Sequence, residues 1–196
     1  VAKGLPKQTR QVQHHDALPY SAMPDFIQKL RNMVAAPSAK LAFEFLVLTA
    51  ARTGEVIGAT WDEMDLDERL WVIPGARMKA GRQHRVPLSD RTVQILVKAR
   101  RLDADNTHVF PGRGRGKPLS NMAFLMILRR LKIDSTAHGF RSTFRDWAAE
   151  ATGFPREVAE MALAHAVEND VEAAYRRGDL LEKRRELMSL WASTCT

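Results

Sequence analysis

Residues 137–150 read AHGFRSTFRDWAAE, and the rest of the chain is best read outward from them. Phe140, Phe144, Trp147 and Ala148 recur at helical spacing, which predicts a helix with one face packed inward. His138 and Arg141 stand three positions apart at its start, so they share a face and project from the first turn into a common space. A helix start favours negative charge through its free N–H groups and its dipole, and a guanidinium adds two parallel donors suited to phosphate. The pair therefore predicts an anionic guest. The same spacing also arises as a surface histidine beside a solvated arginine, so its meaning depends on what the rest of the chain supplies.

Downstream, Gly153 stops this helix and Pro155 begins another, with Val158, Ala159, Met161 and Ala162 facing inward and His165 at its end. The stretch VEAAYRRGDLLEKRRELM then predicts a short helix carrying Tyr175 and a break at Gly178. A charged amphipathic helix follows from Asp179 to about Ala192. Upstream, Ser120 can cap a helix to Leu131 with Met122, Phe124, Leu125, Ile127 and Leu128 apolar and a basic end. The preceding GRGRGKP loop, with Arg113, Arg115 and Lys117, lacks the spacing of a nucleotide-phosphate loop.

In the first half, 1–19 is polar and basic without a sustained period, and reads as a linker or arm. His14 and His15 lie there without other metal ligands nearby. A helix is predicted from Met23, with Pro24 in its first turn and Phe26, Ile27, Leu30, Met33 and Val34 as its stripe. Ser38 can cap a second helix whose Leu41, Ala42, Phe45, Leu46, Leu48 and Ala50 are apolar on most sides, as in a buried helix. From it emerges Arg52, which must face a carboxylate, a phosphate or solvent. Glu55 is placed to orient it, and a closed Arg52–Glu55 ion pair is an equal alternative. LWVI (70–73) and HRVPL (84–88), with residues near 64–66, predict a small three-stranded antiparallel sheet. Its connecting hairpin carries Arg77, Lys79, Arg82 and Arg85, a shape suited to a nucleic-acid groove. Ser89 can cap the next helix, with Val93, Ile95, Leu96 and Ala99 inward.

The chain has 196 residues, 45% of them hydrophobic, which supports one main domain. A formal net charge of +7 calls for an acidic partner, with nucleic acid preferred to an anionic membrane, since no apolar run is long enough to span one. The one cysteine, Cys195, excludes an internal disulfide and most cysteine-based metal sites, and fits a reducing compartment. A start at Val1 suggests a fragment or a processed product.

Arg52, Lys79, His138, Arg141, His165 and Tyr175 occur in that order, within TAARTGEVIGATW, RMKAGRQHRVPLS, HGFRSTFRDWA, LAH and AAYRRGDLLEKRRELM. This resembles the catalytic domain of tyrosine recombinases, and most closely the prophage integrases, from about Pro19 to the last helix. The resemblance implies an α+β, mainly α fold with the small sheet, the catalytic domain occupying 20–196 and N-terminal DNA-binding domains absent. It implies site-specific cleavage and rejoining of DNA through a covalent 3′-phosphotyrosyl intermediate, integrating or excising a mobile element without ATP, metal or cofactor. Tyr175 would be the nucleophile, Arg52 and Arg141 the phosphate clamp, and Lys79 the general acid. His138 would assist proton transfer, His165 would donate to the phosphate, and Glu55 would hold Arg52. Arg77, Arg82, Arg85, Arg113, Arg115 and Lys117 would hold the DNA backbone. Implied partners are duplex DNA attachment sites, a homo-oligomer on DNA of tetrameric type, and accessory DNA-bending proteins, in the bacterial cytoplasm at the nucleoid and without a membrane. Two alternatives stand beside it: a DNA-binding scaffold without chemistry, and a type IB topoisomerase-like enzyme.

Overall fold

A buried helix organises the structure, a computed structural model that describes residues 17–165 and 178–196. This helix, α2 (Pro37–Thr49), is buried almost throughout from Ala42 to Thr49, because nearly every side chain there is apolar and neighbours cover it on several sides. The neighbours are α1 (Met23–Asn32), α3 (Thr53–Ile57), α4 (Asp90–Arg100), α5 (Met122–Leu131) and the C-terminal helix α8 (Leu181–Cys195). Between α5 and α8 lie α6 (Gly139–Ala151) and α7 (Arg156–Ala162). A cluster of Phe26, Phe43, Phe124 and Phe140 ties α1, α2, α5 and α6 together, with ring centroids 4.7 to 5.5 Å apart. A second aromatic group, Phe144, Trp147 and Trp191, joins α6 to α8.

The sheet is three-stranded and antiparallel in the order β1 (Met64–Asp65), β2 (Leu70–Ile73), β3 (His84–Pro87), with Trp71 opposite Val86 and Ile73 opposite His84. Pro87 is tolerated because β3 is an edge strand.

Local details depart from the sequence reading in instructive ways. Ser38 is not the cap of α2: the helix starts at Pro37, and the Ser38 hydroxyl donates to the Pro111 carbonyl at 2.7 Å instead. Val34 lies beyond the end of α1 and is 94% exposed, so it is no part of the apolar stripe. Ser89 does cap α4, accepting from the Thr92 amide at 3.3 Å. Leu187 and Trp191 of α8 are fully buried in their own domain, whereas Leu190 is 46% exposed. His14, His15 and Tyr175 lie outside the described residues. No helix among the described residues is long and apolar enough to cross a membrane.

Candidate active site

α6 begins at Gly139, with His138 as its N-cap residue and the Gly139 amide donating to the Thr136 carbonyl at 2.9 Å. Phe140 and Phe144 pull the helix into the core, and Arg141, one turn before Phe144 and two before Ala148 on the same side, goes in with them. Arg141 is only 4% exposed, while His138, ahead of the first turn, stays exposed. The two do not project together as the spacing suggested; one is internal and the other stands at the rim.

Buried charge needs partners, and Arg141 finds them in backbone carbonyls. Nη1 donates to the Ala50 carbonyl and Nη2 to the Leu163 carbonyl at 2.5 Å. These belong to the C-cap residues of α2 and α7, where helix dipoles concentrate partial negative charge. Nη2 also lies 3.3 Å from His165 Nε2. The buried Nε has no hydrogen-bond partner among the described residues. Burial, and then the repulsion of Arg52, bring the Arg141 pKa down to about 10, so the group remains a cation at neutral pH.

Arg52 is the N-cap of α3. Glu55, three residues on, accepts from the Arg52 amide and from its Nη1, both at 2.8 Å, so one carboxylate fixes backbone and side chain together. Arg52 Nη2 points at the Ala164 carbonyl at 3.4 Å, and about a quarter of the side chain, 26%, stays exposed. The two arginines thus rest on consecutive carbonyls of one turn, Leu163 and Ala164. Ala50 and Ala164 both adopt left-handed conformations, φ 50° and 49°, which cost a residue with a Cβ roughly 1–2 kcal/mol. Both corners aim carbonyls at an arginine, Ala50 at Arg141 and Ala164 at Arg52.

His165 Nδ1 lies 2.5 Å from Glu160 Oε2. Nδ1 thus faces a carboxylate and Nε2 faces Arg141; donating to a phosphate requires Nε2 to carry a proton. Lys79 is exposed on the turn between β2 and β3.

Three residues of this region have no visible signal in the sequence. Asp179 accepts from Arg85 at 2.9 and 2.7 Å and from Arg184 at 2.7 Å. Arg184, 1% exposed, also donates to the Arg85 carbonyl at 2.6 Å and so fastens the start of α8 to β3. His84, at the start of β3, is partly buried. Burial and then Arg184 lower its pKa to about 4, against the pull of Glu55 and a hydrogen bond to the Ala162 backbone, with Arg141 adding to the lowering.

Of the six cations expected along the DNA backbone, Arg82, Arg113, Arg115 and Lys117 are exposed. Arg85 is engaged by the partly exposed Asp179 and Arg77 by the buried Glu63, because each lies within reach of a carboxylate of the same domain.

The family model for the phage integrase family matches residues 18–180. Prophage integrase IntA of Escherichia coli K12 is 36% identical over 173 residues, covering 87% of this chain and 42% of that protein. The integrase of enterobacteria phage P4 is 31% identical over 202 residues, covering 94% of this chain and 46% of that protein. The chain thus spans less than half the length of these curated relatives. Among solved structures, the integrase from mycobacterium phage Brujita superposes with a TM-score of 0.66 at 20% identity, covering 92% of this chain and 64% of that one. A lambda integrase dimer bound to a COC′ core site gives 0.60 at 17% identity, covering 81% and 60%. At these identities the likeness establishes the fold.

Proposed function

The chain belongs to the phage integrase family, and from that footing we propose that it carries the chemistry of a tyrosine-type site-specific DNA recombinase acting on duplex attachment sites. The observation that supports this most directly is the corner where Arg141 and Arg52 sit side by side, held by backbone carbonyls and a single carboxylate, Glu55. Among the described residues the two cations share one ion-pair partner, which leaves room for a phosphodiester to supply further negative charge.

In this reading the Tyr175 phenol oxygen attacks the scissile phosphorus, its proton passing away with the help of His138. The bond from phosphorus to the 5′ oxygen breaks, and Lys79 gives that oxygen a proton. The products are a 3′-phosphotyrosyl linkage and a 5′-hydroxyl. Arg141 and Arg52 stabilise the charge that accumulates on the non-bridging oxygens, and His165 adds a donor. The phosphodiester energy is retained in the linkage, so a 5′-hydroxyl from another duplex reverses the step without ATP. No residue role in this scheme requires a metal or cofactor. Arg82, Arg113, Arg115 and Lys117 hold the backbone, and assembly into a tetramer with accessory DNA-bending proteins, at the nucleoid, completes the proposal.

The test is incubation with nicked suicide duplexes tiling the attachment region of the element, followed by denaturing electrophoresis. A covalent protein–DNA adduct is expected. Arg141→Ala should lower its rate by roughly 10²–10³, and Tyr175→Phe should abolish it. Adduct formed by Tyr175→Phe sinks the nucleophile assignment.

A further inference from the structure

Arg77 was expected to reach outward from the hairpin, yet the structure turns it in. Its Nη1 donates to both carboxylate oxygens of Glu63, and its Nη2 donates to the Glu55 carbonyl at 2.6 Å. Glu63 is 6% exposed and accepts also from Trp71 Nε1 at 2.9 Å, so the carboxylate is anchored in the sheet. The Glu55 carbonyl lies at the end of the short α3, where the next amides, Gly58 and Ala59, turn to Gly54 and Val56; Arg77 supplies the donor the helix lacks. Room for the guanidinium exists because residue 58 is glycine: a Cβ there would lie 2.9 Å from Arg77 Nη2.

The segment that follows is closed rather than loose. The amides of Met78 and Gly81 donate to the carbonyls of Gly75 and Met78, both at 3.0 Å, and Met78 is buried. A Cβ on Gly75 would lie 2.5 Å from the Gly81 carbonyl oxygen, so the turn closes only with glycine. Lys79 sits on this turn, exposed, immediately beyond Met78 and two residues beyond Arg77. On its other side, the Arg77 contact reaches the backbone of Glu55, whose side chain holds Arg52.

We propose that Arg77 is a positioning residue for Lys79: it pins the foot of the 75–81 turn to Glu63 and to α3, setting the lysine in fixed relation to Arg52. The proposal rests on Lys79 acting as general acid in the strand-cleavage reading. It assigns Arg77 to geometry and not to phosphate contact.

Cleavage is measured with matched suicide duplexes carrying oxygen or sulfur at the 5′ bridging position, since a thiolate leaves without protonation. Arg77→Gln should slow adduct formation at least about tenfold on the oxygen substrate, as small misplacements of a catalytic group do. On the sulfur substrate the loss should shrink to less than about threefold, as for Lys79→Ala, with DNA affinity and its salt slope unchanged. Because Arg77→Gln leaves Glu63 buried and unpaired, Arg77→Gln/Glu63→Gln removes both charges; it should recover melting temperature but not rate. Gly58→Ala, which crowds the guanidinium without changing charge, should give the same sulfur-rescued defect in milder form. If the double variant recovers rate along with stability, or if Arg77→Gln is equally slow on both substrates, the proposal is overturned. A fall in salt slope of about one on Arg77→Gln overturns it in favour of a phosphate contact. Failure of sulfur to rescue Lys79→Ala overturns the general-acid reading and this proposal together, whereas rescue of Lys79→Ala without rescue of Arg77→Gln overturns this proposal alone.

Discussion

Acidification should destabilise this protein through His84 before most carboxylates titrate. The imidazole is held neutral, with a pKa of about 4, by burial and by Arg184, with Arg141 adding to the effect. In the unfolded chain the same group titrates near 6.5. Between those values the unfolded state binds a proton that the native state refuses, so stability rises with pH across this window and is lost as pH falls from about 6.5 toward 4. Below the folded pKa both states are protonated and the loss stops growing. The full shift corresponds to roughly 2 kcal/mol by pH 5; allowing for water at the partly exposed ring, about 1–2 kcal/mol is expected. Urea unfolding of the parent and of His84→Gln at intervals from pH 7.5 to 4.5 isolates the effect, because groups common to both proteins cancel in the difference. His84→Gln is expected to be less stable at neutral pH by some constant amount, with that gap closing as the pH falls. A gap that stays constant over the whole range refutes the idea that His84 is held neutral by its surroundings.

Trp191→Ala should cost about 3–5 kcal/mol by denaturant unfolding, through a cavity beside Trp147 and Phe144 and loss of the 2.9 Å hydrogen bond from its Nε1 to the Val47 carbonyl. The half-exposed Leu190→Ala should stay within about 0.5 kcal/mol, and equal effects would show that α8 does not depend on its own domain for burial. Glu44 accepts from Arg31 and Arg91 inside the bundle; its burial raises the carboxyl pKa, but the two arginines outweigh this and hold it low. Glu44→Gln should therefore destabilise by about 1–3 kcal/mol, tempered because both arginines keep some contact with water, against about 0–0.5 kcal/mol for Asp25→Asn in the exposed pair with Lys29. Similar values for the two would remove the case for a buried triad.

Helices and strands were legible in the sequence wherever periodicity and caps agreed. The apolar run of α2, the Ser89 cap and the LWVI and HRVPL strands each carry their own local signal. Arg52, His138 and Arg141 stand out in the sequence by their placement, an arginine leaving an apolar helix and a histidine and arginine at a helix start. What the sequence does not carry is direction. Arg77, Arg82 and Arg85 look alike on a basic hairpin, yet two of them find carboxylate partners, Glu63 and Asp179, 14 and 94 residues away along the chain. The same holds for Arg184, whose neighbours Arg185 and Lys183 give no hint that it alone is buried. Such pairings depend on which elements meet, and local patterns do not specify that.

The manner in which Arg141 is held bears on the anion binding proposed for the site. Had Arg141 and Arg52 each been matched with a carboxylate, a phosphate would have to displace an ion pair, losing on one side much of what it gained on the other. Among the described residues only Glu55 forms an ion pair with either arginine, and it takes Arg52, while Arg141 is held by the carbonyls at the C-terminal ends of α2 and α7. Carbonyl dipoles fix the plane of a guanidinium and offset part of its desolvation without neutralising its charge. Burial first, and then the repulsion of Arg52, lower the Arg141 pKa to about 10, against the opposing pull of Glu55 and Glu160. The helix ends thus do for the cation what a carboxylate would do for its position, and in the proposed reaction its charge is left for the substrate phosphate. Ala50 and Ala164 are left-handed at the same two helix ends: turning the chain sharply there aims their carbonyls at Arg141 and Arg52, at a cost in backbone strain.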